Sequence, residues 1–64
     1  MQNEGRMANS QLSDLRNMRV LLEEARVLAH NLAYHRRARL EDVLGQALDE
    51  VDRQIDELRR EGNG

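Results

Sequence analysis

Apolar residues recur along most of the chain with the spacing of amphipathic α-helices. In the first half they are three and four residues apart, which places them on one helix face; they are Leu15, Met18, Leu22, Ala25, Ala29 and Leu32, flanked by Leu21 and Leu28. In the second half the same spacing links Leu44, Leu48, Val51, Ile55 and Leu58. Both sets form seams of the coiled-coil type. The pattern therefore predicts an all-α fold built from two helices.

An arginine-rich segment, His35-Arg36-Arg37-Ala38-Arg39, separates the two seams. The heptad repeat of the first helix, continued past Leu32, requires apolar residues at positions 36 and 39 and meets arginines there. We therefore predict a tight turn within residues 35–39 and a two-helix antiparallel hairpin, with helices at about 10–35 and 39–61. One unbroken helix is the alternative, because no proline or glycine in this segment forces a stop.

The ends of the chain predict short flexible segments on either side of the hairpin. Residues 1–9 are polar and read as a leader, and Asn9 or Ser10 can cap the first helix. Gly62 follows Arg59 and Arg60, a combination typical of a helix C-terminus, so residues 62–64 read as a tail. The predicted organisation is a leader at 1–9, a hairpin at 10–61 and a tail at 62–64.

The size of the chain favours self-association. A chain of 64 residues buries only roughly 60% of the surface that its unfolded form exposes. It has no cysteine for a disulfide, and two histidines without a thiol do not make a structural zinc site. We therefore predict a homodimer that forms a four-helix bundle. Its core and dimer contacts are predicted to be Leu15, Met18, Leu21, Leu22, Leu28, Leu32, Leu44, Leu48, Val51, Ile55 and Leu58.

Charge adds support for the hairpin and little about partners. Residues 1–38 hold six arginines against four acids, and residues 39–64 hold four arginines against eight acids, so antiparallel arms attract each other weakly. The net charge of −2 gives no strong field toward nucleic acid or a membrane surface. No apolar run approaches the ~20 residues that span a bilayer, and we expect a cytoplasmic protein without membrane contact.

A second apolar stripe predicts a surface for another protein. Val20, Val27 and Tyr34 are spaced by sevens on the side of the first helix away from its main face. With Arg36 and Arg37 they are the candidate partner-binding residues, because amphipathic aromatics and arginines are enriched at binding hot spots. The leading hypothesis is a homodimeric, non-enzymatic module that binds a larger protein, such as a transcription regulator or an ATPase, and sequesters or inhibits it.

The sequence shows no catalytic or metal motif. His30 and His35 are five residues apart and diverge on a helix, whereas a shared metal ion needs spacings of three or four. The acids of the second helix have no nucleophile beside them and read as a solvated face. We expect no enzyme activity, no metal and no cofactor.

Two resemblances define alternative functions. In length and topology the chain resembles the short plasmid-encoded helical hairpin that dimerises and binds paired RNA loops, and Arg36, Arg37 and Arg39 would then contact phosphate. The absence of stacking aromatics and the interleaved Glu23 and Glu24 make nucleic-acid binding the less favoured reading.

The second resemblance is to the small hairpin phosphatases that act on response-regulator aspartyl phosphates in sporulating bacteria. Their Ser-Gln-Glu-Leu-Asp signature is similar to the segment from Gly45 to Asp49, Gly-Gln-Ala-Leu-Asp, in which three of five residues match. The serine and the glutamate are replaced. This resemblance implies a phosphatase-like role for Gln46 or Asp49.

Overall fold

A computed structural model describes residues 7–63 of the chain, with side-chain surroundings for residues 10–61. Helix α1 spans Met7–Ala29 and helix α2 spans Tyr34–Asn63. The two helices pack against each other as a hairpin, and no strand occurs within residues 7–63. The predicted all-α fold of two packed helices is therefore confirmed, and the alternative of one unbroken helix is wrong.

The position of the turn differs from the prediction of residues 35–39. The connection lies at residues 30–33, so α1 ends at Ala29 instead of position 35, and α2 begins at Tyr34 instead of position 39. Arg36 and Arg39 are exposed residues of the first turns of α2. They do not interrupt an apolar seam, because the inward face of α2 contains other positions. Before Leu44 this face consists of Glu41 and Arg37, which are both half-buried.

Backbone hydrogen bonds explain how the chain reverses without glycine. At the end of α1 the amide of Asn31 donates to the carbonyl of Leu28 at 3.0 Å, and Leu32 donates to Ala29 at 3.1 Å. These i to i−3 bonds tighten the last turn and satisfy carbonyls that a helix end leaves open. The carbonyl of Ala33 then accepts from Arg36 and Arg37 at 3.0 and 2.9 Å, which starts α2. No described non-glycine residue has a positive φ.

The helix ends also extend beyond the predicted hairpin. Because α1 spans Met7–Ala29, positions 9 and 10 lie inside this helix and not immediately before it, as predicted for a capping residue. Because α2 runs to Asn63, Gly62 lies within the helix. Residues 1–6 of the predicted leader and residue 64 of the predicted tail lie outside the described residues.

The two helices enclose a small core. Among residues 10–61, only Ala29, Leu48 and Val51 are buried, with exposed fractions of 4%, 4% and 5%. The remaining predicted core residues divide into two groups. Those that line the contact between the helices are half-buried: Leu15, Leu22, Leu44, Ile55 and Leu58. Four others are exposed in the single hairpin: Met18, Leu21, Leu28 and Leu32.

Gly45 offers a direct test of helix propensity in α2. A Cβ built at this position meets no atom within 4 Å, so alanine fits without repacking. Glycine inside a helix costs about 1 kcal/mol relative to alanine. We expect Gly45→Ala to raise the free energy of unfolding by about 0.5–1 kcal/mol in urea denaturation. A destabilised variant would instead show that another backbone approaches Gly45 in solution.

Candidate protein-interaction surface

One side of the hairpin is closed by two polar contacts between the helices, an arginine–aspartate ion pair and a histidine–glutamate contact. Arg19 Nε donates to Asp52 Oδ1 at 2.7 Å, and His30 Nδ1 lies 2.8 Å from Glu41 Oε2. His30 follows Arg19 by eleven residues and Glu41 precedes Asp52 by eleven, so both pairs have the same register and occupy the same side. The hydrogen bond to Asp52 is the main cause that raises the pKa of Arg19. We call this side the ion-paired side.

Glu41 is the least exposed member of these pairs, with its side chain 29% exposed. Glu41 Oε2 is buried and accepts no hydrogen bond among the described residues, and His30 Nδ1, 2.8 Å away, is the nitrogen placed to pair with it when that nitrogen carries a hydrogen. A buried acceptor that loses its partner costs more than an exposed ion pair contributes.

We therefore expect His30→Ala to lower the free energy of unfolding by about 1–2 kcal/mol. Arg19→Ala is the control, because Arg19 and Asp52 are about half exposed, and it should cost about 0–1 kcal/mol. Urea denaturation of both variants checks this order. If both variants lose the same free energy of unfolding, water takes the place of His30 as hydrogen-bond donor to Glu41 Oε2.

The opposite side of the hairpin is apolar and open. Leu21 and Leu28 are each two residues from a member of the ion-paired side, Arg19 and His30, and Val43 is two residues from Glu41. A separation of two residues is about 160° around a helix. Six large apolar residues on this side are between 41% and 66% exposed: Met18, Leu21, Leu28, Leu32, Leu40 and Val43. We call this set the open apolar side.

The two helices form a groove on this side, near the turn. It has a volume of about 360 Å³ and is lined by Ala25, Leu28, Ala29, Leu32, Leu40 and Leu44. The groove shows that the exposed residues of α1 and α2 face the same way. Its walls are leucines and its floor contains small alanines, so a bulky apolar side chain would fit between the helices.

The second stripe predicted from the sequence is divided by the turn. Val20 and Val27 share the outer side of α1 and are 56% and 65% exposed. Tyr34 lies beyond the turn, as the first residue of α2, so the prediction of one stripe through these three residues is wrong. Tyr34 is 75% exposed, and the guanidinium of Arg37 lies 5.5 Å from its ring centroid in a cation–π contact.

The arginines of the turn region are displayed at the tip of the hairpin. None of the ion pairs found within residues 10–61 includes Arg36, Arg37 or Arg39. The segment from residue 25 to residue 40 contains four arginines, the fourth being Arg26, and no acid. The tip of the hairpin therefore carries concentrated positive charge although the whole chain is slightly negative.

The acids of α2 are occupied largely by their own helix. Arg53 binds both Glu50 and Glu57, and the hydrogen bond from Arg53, followed by that from Gln54, lowers the pKa of Glu50 to about 2. Gln46, the candidate from the phosphatase resemblance, donates to Asp42 at 3.3 Å, and both Gln46 and Asp49 are exposed. The outer side of α2 is thus a solvated, charged face.

Searches for known relatives find no matching family model, no matching curated protein and no matching solved structure. Within the described part of the chain, no group of three or more histidines or acids is placed to hold a metal ion. Neither helix, over the residues described, has an apolar stretch of the length that crosses a membrane. The open apolar side holds six of the nine large apolar residues that are exposed in the described part of the chain.

Proposed function

We propose that this chain is a non-enzymatic protein-interaction module that acts as a homodimer, in which the open apolar sides of two hairpins pack together as a four-helix bundle. The single observation that carries the proposal is the difference between the two sides of the hairpin. One side is closed by the Arg19–Asp52 and His30–Glu41 pairs. The other side leaves six large apolar side chains in water.

The small core of one hairpin explains why a second layer of helices is needed. Three buried residues contribute little apolar burial, and a two-helix hairpin encloses only the strip between its helices. Each Å² of apolar surface removed from water stabilises by about 25 cal/mol, so covering the open apolar side adds several kcal/mol. A second hairpin completes a common core of the four-helix type.

The outer side of α1 stays available in such a dimer and supports the second part of the proposal, contact with a larger protein. Val20 and Val27 are exposed apolar residues there, on the side away from the open apolar side. An amphipathic helix of a regulator or an ATPase is the partner chemistry that such a surface fits. In this proposal the module acts by occupying that helix.

Sedimentation equilibrium of the purified chain tests the proposal. We expect a dimer with twice the monomer mass of 7.4 kDa, with a mass that falls toward the monomer only on strong dilution. A folded monomer at all concentrations would contradict the proposal.

A further inference from the structure

The two hairpins of a dimer can be arranged in two ways, and the structure distinguishes them. When the two-fold axis runs along the helices, both turns lie at the same end and α1 packs on α2 of the second copy. When the axis runs across the helices, the turns lie at opposite ends and α1 packs on α1. Both arrangements make neighbouring helices antiparallel, so helix dipoles do not choose between them.

We propose that the second copy binds with its turn at the opposite end, so that the open apolar stripe of α1 packs on the same stripe of the other chain. This inference rests on the proposed dimer and specifies its geometry. It makes two α1 helices the centre of the interface and separates the two basic tips.

The first argument is the match of apolar residues along α1. Its open stripe follows 3-4-3 spacing from Met18 through Leu21 and Ala25 to Leu28, and Leu32 of the turn follows it; none of these residues is polar. When this stripe packs on itself in reverse direction, apolar side chains meet apolar side chains along its whole length. No charge is removed from water within this stretch.

The second argument is the mismatch in the other arrangement. The open stripe of α2 starts at Leu40 and Val43 and continues at the same spacing through Ala47 to Glu50 and Gln54. The register of the ion pairs places Met18 and Leu21 level with residues 50–53 of α2. With both turns at one end, Met18 and Leu21 of each chain would therefore lie against the Glu50 carboxylate of the other, which Arg53 and Gln54 hold in its charged form. With the turns at opposite ends, α2 packs on α2, so the mismatch is confined to that contact, where Glu50 lies level with Val43, and the contact between the two α1 helices stays apolar.

The third argument is charge. With both turns at one end, the two tips would bring together eight arginines, four from each segment 25–40, without an acid from either segment. With the turns at opposite ends, each tip lies beside the far end of the other hairpin, where the four acids Asp14, Asp56, Glu57 and Glu61 outnumber the three arginines Arg16, Arg59 and Arg60. Like charges repel and opposite charges attract over this range, so charge favours the same arrangement as the apolar match.

Disulfide trapping tests the geometry, because the chain has no cysteine of its own. A disulfide needs Cα atoms about 4.4–6.8 Å apart, which restricts it to residues that face each other. The single variants Leu21→Cys, Ala25→Cys and Leu28→Cys are each oxidised alone and also in pairwise mixtures. In each mixture one variant carries a tag, so that mixed dimers differ in size from dimers of one variant. Ala25→Cys mixed with Ala47→Cys, and Leu28→Cys mixed with Val43→Cys, report the other arrangement.

We expect covalent dimers between α1 cysteines to exceed the α1–α2 products by at least about tenfold on a non-reducing gel. Val27→Cys, equally exposed on the outer side, is the control and should give no dimer above background. If the α1–α2 mixtures crosslink and the α1 variants do not, in a chain that sedimentation shows to be dimeric, this geometry is overturned while the proposed function stands. A monomer in sedimentation overturns both.

Discussion

Replacing Leu28 with glutamate is expected to convert the dimer into a folded monomer. Leu28 is 66% exposed in the single hairpin, so a carboxylate there stays in water and costs the monomer little. In the dimer the same carboxylate would be buried against apolar side chains without a partner, which costs several kcal/mol. We expect the dissociation constant to rise at least about a hundredfold, since each 1.4 kcal/mol is tenfold. Sedimentation equilibrium measures this change, and circular dichroism checks that the helices remain.

Val27→Glu is the matched control for this experiment. Val27 is the next residue along α1 and is 65% exposed, but it lies on the outer side. Both substitutions place the new glutamate four residues after an existing one, Glu23 or Glu24, so their effects on the helix itself are alike. Val27→Glu should leave the dimer intact. If the two variants dissociate equally, the open apolar side is not the interface.

Replacing Leu48 with alanine is expected to unfold most of the protein at micromolar concentration. Leu48 is 4% exposed and is one of three buried residues in the part of the chain whose burial the structure describes. Leucine-to-alanine changes in a core cost about 2–5 kcal/mol, a large part of the stability that a chain of this size has. Circular dichroism should show a marked loss of helix. A higher protein concentration should restore part of it, because dimerisation stabilises the folded state by mass action.

Two valines provide the matched comparison for the core. Val51 is 5% exposed between the helices, whereas Val20 is 56% exposed on the outer side of α1. Val51→Ala should lower the midpoint of urea denaturation clearly, and Val20→Ala should change it within the range of surface substitutions, about 0.5 kcal/mol. Similar shifts for both valines would mean that the contact between α1 and α2 does not hold the fold together.

The two helices and the inward face of α2 could be predicted from the sequence because helical periodicity is a local property. Residues three and four positions apart share a face whatever the rest of the chain does. The inward face of α2 predicted from Leu44, Leu48, Val51, Ile55 and Leu58 contains only buried and half-buried residues in the structure. The absence of strand signals likewise predicted the all-α class.

The turn could not be placed in the same way, because no local signal marks it. The chain reverses at residues 30–33 without glycine or proline, through i to i−3 hydrogen bonds. The prediction of a turn at residues 35–39 assumed that the heptad of α1 continues past Leu32, so that Arg36 and Arg39 break its apolar seam. In the structure both arginines belong to α2, whose apolar positions follow a register of their own. Tyr34 is the first residue of α2 and therefore does not share a stripe with Val20 and Val27.

By itself, then, the sequence determined two amphipathic helices and the residues available to cover them. Periodicity assigned Met18, Leu21, Leu28 and Leu32 to the same core as Leu48. The reason is that the first half of the sequence carries two adjacent apolar seams that share Met18, Ala25 and Leu32. Only the tertiary structure decided which seam meets α2 and which stays open. That choice depends on where the chain turns and on which residues of the two helices meet, as Ala29, Leu48 and Val51 do in the core. Contacts between residues distant along the chain fix this choice, and a local pattern does not contain them.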